Sequence, residues 1–245
     1  MTHTSGLPYM PDNMGILKVI FNNDKAWRQY DTTKLYKFLK DVKLESTPFT
    51  VWNYSNLAVV TLGTILSRNL QKPYADIIKE KITQPLGLND TKKTLSADEL
   101  KRMAKGYHGS KEIDYWDDLN AMDGAGVLRS TTADLLKFAK ANITMPNLPI
   151  GKAMLECQKE AFKGKMKDKD TEMSMNLGWV NLKLDSIAEI PLFHNGGTAG
   201  FSTNLFVFKE KKMAFVVLFN SVPHNKEGQE ARQSFLNSII KAVAE

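Results

Sequence analysis

Residues 193–201 read Phe-His-Asn-Gly-Gly-Thr-Ala-Gly-Phe and lie between two strand-like runs. Gly196, Gly197 and Gly200 let the backbone come close to a ligand, and an exposed N–H there can donate to a developing oxyanion. A glycine-rich hairpin with a chance histidine, His194, accounts for the same residues. A second group, Trp52-Asn53-Tyr54-Ser55-Asn56, stands at the entrance of an apolar run. A tyrosine hydroxyl fixed there shuttles a proton if nearby cations lower its pKa. An asparagine amide can engage a substrate amide from both its donor and its acceptor side. The plain alternative is a core tyrosine followed by a helix cap.

Other chemistries find less support. The chain has one cysteine, Cys157, with no histidine beside it, so neither an intrachain disulfide nor thiol catalysis is indicated. His3, His108, His194 and His224 are scattered without the helical spacing of a zinc site, and no cofactor is expected. The net charge of +6 comes from dispersed lysines. Their densest cluster, Lys163, Lys165, Lys167 and Lys169, has no interleaved aromatics and reads as a solvated loop, so no nucleic-acid partner is expected. No run of about 18 apolar residues occurs, and the polar opening lacks a basic flank. Neither a membrane span nor a signal peptide is expected.

The elements that would position these groups follow from periodicity. Asp31 can cap a helix with Leu35, Phe38, Leu39 and Val42 on one face. Ser55 can cap a helix through Leu57, Val60, Ile65 and Leu66 that is apolar nearly all round and therefore buried. Pro73 can open a helix with Tyr74, Ile77, Ile78 and Ile82, closed by Pro85. Thr131 or Thr132 can cap another, with Leu135, Leu136, Phe138 and Ala139 inward. From Leu177 the pattern turns to strands, 177–184, 205–208 and 213–219, expected to be antiparallel and separated by polar or glycine turns. A last helix, 227–244, has Phe235, Leu236, Ile239, Ile240 and Val243 on one side, suited to cover that sheet.

Taken together and in order, Tyr54-Ser55-Asn56 and His194-Asn195-Gly196 resemble the Y-x-N and H-x-G motifs of the β-lactamase-like serine hydrolases. That group holds penicillin-binding DD-peptidases, class C β-lactamases and serine esterases. Residues 2–8, 84–91, 124–138, 177–179 and 197–201 look like the same family, so the resemblance spans nearly the whole chain. It implies an α/β (α+β) fold, an antiparallel sheet covered by helices, with a mostly helical region at 1–175 and the strands and covering helix at 176–245. The implied reaction is serine acyl transfer on a D-alanyl peptide, a β-lactam or an ester, through an acyl-enzyme. By resemblance Tyr54 relays protons, His194 faces a carboxylate or the tyrosine, and the Gly197 N–H forms half of an oxyanion hole. Asn56, Asn195 and Gly196 hold substrate. Members of such a family work in the periplasm, at the cell envelope or outside the cell.

The departure from the pattern concerns the nucleophile. The family places S-x-x-K some tens of residues ahead of the stretch at 2–8, and here the single S-x-x-K is Ser238 to Lys241, in the last helix. With 13 serines and 28 lysines, about one or two such matches arise by chance, and this one reads as part of the covering helix. A chain without the family's first helix and two strands is expected to leave a sheet edge and an apolar face open, and so to be marginal, oligomeric or complemented by another chain. The rival reading is a non-catalytic fragment or pseudoenzyme that binds peptidoglycan-like peptides or a partner.

Overall fold

In the computed structural model, which describes residues 1–14, 27–116, 120–184 and 187–244, the helices begin where the capping side chains stand. Asp31 accepts from the Lys34 N–H and opens α1 (Thr32–Asp41). Ser55 accepts from the Ala58 N–H and opens α2 (Asn56–Leu70). Pro73 precedes α3 (Tyr74–Ile78), which runs on into a π-helical turn at Lys79–Thr83. Ser96 and Glu99 form a capping box for α4 (Ala97–Lys101), and Thr131 caps α5 (Thr132–Thr144). A further helix, α6 (Pro149–Cys157), starts on its proline. The chain closes with α7 (Lys226–Ala244).

Two sheets accompany them. The smaller has the order β2 (Lys111–Ile113), β1 (Gly106–His108), β9 (Ser221–Val222), with β1 and β9 parallel. The larger runs in sequence order and is antiparallel throughout: β3 (Glu160–Lys165), β4 (Glu172–Asn176), β5 (Val180–Asn181), β6 (Leu192–Thr198), β7 (Phe201–Phe208) and β8 (Met213–Phe219). Its strand pleat sorts the core. Leu192 and Val207 pack with Ala139 of α5 and Trp179 on one face. Phe206 and Phe208 pack with Ile240 and Val243 of α7 on the other, joined by Phe193 and Phe215. A separate core, centred on Tyr30, Leu35, Leu57, Val60 and Met122, binds α1 and α2 to the segment at 120–127.

Several expectations need correction. The larger sheet starts at Glu160, so the lysine cluster read as a loop supplies β3 and the turn after it. In β3 only Phe162 is buried, so the strand shows almost no apolar alternation. Helix α2 is not buried all round: Ile65 is 57% exposed. Leu136, expected inward, lies on the outer side of α5 at 45% exposure. There the buried positions are Asp134, Ala139, Ala141 and Asn142. At the far end of the sheet, no strand follows β8 among the described residues. Met213, Leu218 and Phe235 stand exposed in that region.

Asp134 explains why two of the family-like stretches stay together. Its carboxylate is 2% exposed and accepts from the Asp90 N–H at 2.7 Å, the Thr91 hydroxyl at 3.0 Å and the Lys137 ammonium at 3.0 Å. Burial alone would raise its pKa, yet these donors hold it below the usual carboxylate range. Residues 84–91 and 124–138 are thereby joined around a scaffold ion rather than a reactive one.

Candidate functional site

The N-terminal segment runs beneath the Tyr54 loop and is tied to it by backbone and side chain. Asn53 N–H donates to the His3 carbonyl at 2.8 Å, and Phe49 N–H to the Thr4 carbonyl at 2.8 Å. Ser55 N–H donates to His3 Nδ1 at 3.2 Å, while the Ser55 hydroxyl donates to the Pro8 carbonyl at 2.7 Å. Asn56 N–H reaches the Tyr9 carbonyl at 3.1 Å. Trp52 is fixed from the other side, its N–H donating to the Lys165 carbonyl at 2.8 Å. The entrance of α2 is thus braced by two segments remote in sequence, which holds Tyr54 where the chain turns into the helix.

Tyr54 lies at the mouth of this arrangement, 38% exposed. Its ring stacks on His3 with centroids 4.2 Å apart and planes 28° apart, and Tyr9 and Trp52 flank it at 6.1 Å and 6.2 Å. Burial raises the phenol pKa, and Tyr9 adds to the effect. Neither cause is a cation, so among the described residues no positive neighbour lowers the tyrosine as the sequence reading required. At neutral pH Tyr54 is a phenol, able to donate a proton.

His3 is buried, and its pKa falls to about 4, first through burial and then through the nearby His194 ring and the amino terminus. His194 is itself lowered by burial, so both rings are neutral at pH 7. His3 stacks on Tyr54 and His194 bears on its titration, which links this ring to both motifs. Nothing in the spacing of the sequence linked His3 to Tyr54. Only the pairing of residues 3–6 with residues 45–55 brings them together.

The strand geometry decides what the rest of the second motif presents. Thr198 pairs with Phe201 across a two-residue turn, where the bridge requires both residues to exchange their backbone hydrogen bonds. Alternation from that point directs the N–H of Gly197 away from β7, to the outer edge of β6. Strand β5 pairs with β6 only at Leu192 and Phe193, so beyond these the edge carries no partner strand among the described residues. The same pleat sets His194 and Gly196 on the face of Leu192, toward α5. Asn195 is on the opposite face with Phe193, the side covered by α7, so its side chain is not brought to Tyr54. Asn56, at the first position of α2, is half-buried, and its side-chain amide makes no hydrogen bond among the described residues.

The hairpin tip is fixed by close backbone contact. Gly200 has φ +70°, and a Cβ there would stand 2.7 Å from the Gly106 carbonyl carbon and the Tyr107 nitrogen. Tyr107 N–H donates to the Gly200 carbonyl at 3.3 Å, which locks the tip of the β6–β7 hairpin onto the smaller sheet. Ser238, the serine of the single S-x-x-K, is exposed on α7 with its hydroxyl bonded to the Phe235 carbonyl. Among the described residues, no group of histidine, cysteine or carboxylate side chains is arranged to hold a metal ion.

A protein-family model described as Beta-lactamase matches residues 1–236. The chain is 26% identical over 228 residues to the D-alanyl-D-alanine-carboxypeptidase/endopeptidase AmpH of Escherichia coli K12, which covers 90% of this chain and 57% of that protein. It is 28% identical over 255 residues to penicillin-binding protein 4* of Bacillus subtilis 168, covering 97% of this chain and 53% of that one. The chain therefore spans about half the length of these relatives. In fold it is similar to the crystal structure of a beta-lactamase/D-alanine carboxypeptidase from Yersinia pestis complexed with citrate. The TM-score is 0.78 at 23% identity, covering the whole of this chain and 68% of that one.

Proposed function

Because the chain belongs to the beta-lactamase family, we propose that it carries the proton-relay and substrate-binding side of a serine acyl-transfer site. The substrate class is a D-alanyl peptide, a β-lactam or an ester. The observation that supports this reading is Tyr54 stacked on the His3 ring, whose titration His194 also affects, together with a strand edge that has an unpaired N–H at Gly197. A carbonyl laid along that edge receives the Gly197 N–H at its developing oxyanion. Tyr54, held as a phenol, gives a proton to the leaving group. His194 presents a neutral ring to the substrate's polar end, a weaker anchor for a carboxylate than a lysine. Asn56 offers its free amide to the acyl side chain. Work on such substrates would be done in the periplasm, at the cell envelope or outside the cell.

Acyl transfer of this kind also needs a serine to form and release the acyl-enzyme. Ser238 is exposed on the covering helix with its hydroxyl bonded to the Phe235 carbonyl, and Ser55 is engaged as the cap of α2. These two placements favour a second reading for the chain as it stands, a module that binds such ligands without turning them over. Intact-mass measurement after incubation with a fluorescent penicillin and with a fluorophosphonate separates the two. We expect no stoichiometric adduct on the chain alone, together with saturable, non-covalent binding of a D-alanyl-D-alanine peptide. An adduct on Ser55 or Ser238 overturns the half-site reading, and absence of any binding overturns both.

A further inference from the structure

Tyr54 is the reacting group of the proposed site, and the residue in closest contact with it is His3, which lies in the family-like stretch at 2–8 but outside the two motifs. His3 touches the Tyr54 loop in three ways: its carbonyl takes the Asn53 N–H, its Nδ1 takes the Ser55 N–H, and its ring stacks on the phenol. Trp52 closes the ring from the edge, with centroids 6.1 Å apart at 77°. All four residues from 52 to 55 are thus contacted by one side chain and its own backbone.

The backbone of His3 is held in an uncommon conformation to do this. Its φ is +57°, in the left-handed region that residues other than glycine enter seldom. Such a conformation persists where the surroundings over-determine it. Here the Thr2 and Thr4 hydroxyls bond to each other at 2.7 Å across His3, and the carbonyls of His3 and Thr4 are both claimed by the loop. The outcome of the strain is that the imidazole turns under Tyr54 with Nδ1 toward Ser55.

We propose that His3 is a positioning residue for Tyr54: its ring fixes the plane of the phenol, and its Nδ1 fixes the peptide that follows it. The inference rests on the reading of Tyr54 as the proton donor of the site. Nδ1 must be unprotonated to accept from Ser55, so the mobile proton of the neutral ring sits on Nε2. The titratable groups that bear on this ring are His194, the amino terminus and the Tyr54 phenol, with Tyr9 behind Tyr54. A proton added at Nδ1 would set a donor against the Ser55 N–H and release the loop.

Nitrogen-15 correlation of the His3 imidazole in the unaltered chain at neutral pH tests the tautomer, with no variant and no substrate. The expected result is an unprotonated Nδ1 with a hydrogen-bond coupling to the Ser55 amide; a protonated Nδ1 overturns the proposal. The second measurement follows the Tyr54 Cζ resonance through its ionisation in His3→Asn and His3→Phe. Asparagine tolerates the left-handed backbone but uncovers the phenol, and a downward shift of about half a pH unit or more is expected. Phenylalanine restores the cover, and the midpoint should return toward that of the unaltered chain. A Tyr54 midpoint unmoved by His3→Asn also overturns the proposal. Turnover is not read, so a chain that hydrolyses nothing leaves this test intact, and a failed test leaves the proposed reaction standing.

Discussion

Acidification should destabilise this protein through His3 before its paired carboxylates begin to titrate. The folded-state pKa of His3 is depressed from 6.5 to about 4, so the unfolded chain takes up the proton first. The stability from keeping the ring neutral is present above pH 6.5 and declines as pH falls through the window between the two values. Its full extent follows from the depression at 1.36 kcal/mol per unit, about 3 kcal/mol, of which about 2.5 kcal/mol is lost between pH 7.5 and 4.5. His194 is depressed in the same direction, and the lowered carboxylates of Glu45 and Asp134 add losses at lower pH. Urea unfolding of the unaltered chain and of His3→Asn at both pH values isolates the His3 part, because the other groups are common to both. The variant should lose about 2.5 kcal/mol less over that interval. Equal losses in the two proteins would show that His3 is solvated and protonates freely in the folded state, and the stacked arrangement would be wrong.

Other expected outcomes follow from single contacts. In a version extended by an upstream helix bearing S-x-x-K, Tyr54→Phe should lower kcat by about 10² to 10⁴-fold in hydrolysis of an ester or D-alanyl substrate; unchanged turnover would place the proton donor elsewhere. Gly200→Ala should destabilise by about 2 kcal/mol or more, since a methyl group there meets the backbone of Gly106 and Tyr107 at a positive φ, and thermal unfolding checks it. Asp134→Ala should cost about 2 to 4 kcal/mol in urea unfolding, because the Asp90 amide loses its buried acceptor, with Asp134→Asn costing less.

What the sequence disclosed was whatever local chemistry determines. Asp31, Ser55 and Thr131 each cap the helix expected of them, since a side-chain oxygen placed before an apolar stripe needs no distant partner. Strands β7 and β8 were legible from their nearly continuous apolar runs, which in β7, between β6 and β8, serve cores on both faces of the sheet. Strand β3 was not. It lies at the sheet's edge, where lysines on the exposed positions are tolerated and discourage further pairing, so Lys163 and Lys165 mimic a loop. Leu136 and Ile65 were placed inward by helical period alone, and period does not say how wide a face is covered. In the site, the motifs led to Tyr54, Asn56, His194 and Gly197. The pleat sets Asn195 apart from them, which depends on register rather than residue type. His3 belongs to the family-like stretch at 2–8, but its place under Tyr54 was not readable, because its partners are set only by tertiary pairing.

That pairing bears on when the site comes into being. The His3–Ser55 bond spans 52 positions and the Ser55–Pro8 bond 47, while Met1 accepts from the Gly178 N–H at 3.1 Å. Contacts that close such long loops bring their loss of chain entropy before any return from packing. The helices α2 and α5 can form from local signals, but the floor beneath Tyr54 needs residues 3–9 brought against residues 45–57. The phenol's surroundings are therefore among the last parts of the molecule to assemble. By the same token they open at lower free-energy cost than the cores around Val60 and Val207. In hydrogen exchange the Ser55 amide should lose its protection ahead of the amides in the middle of α2 and β7, with the candidate site breathing while its scaffold stays closed.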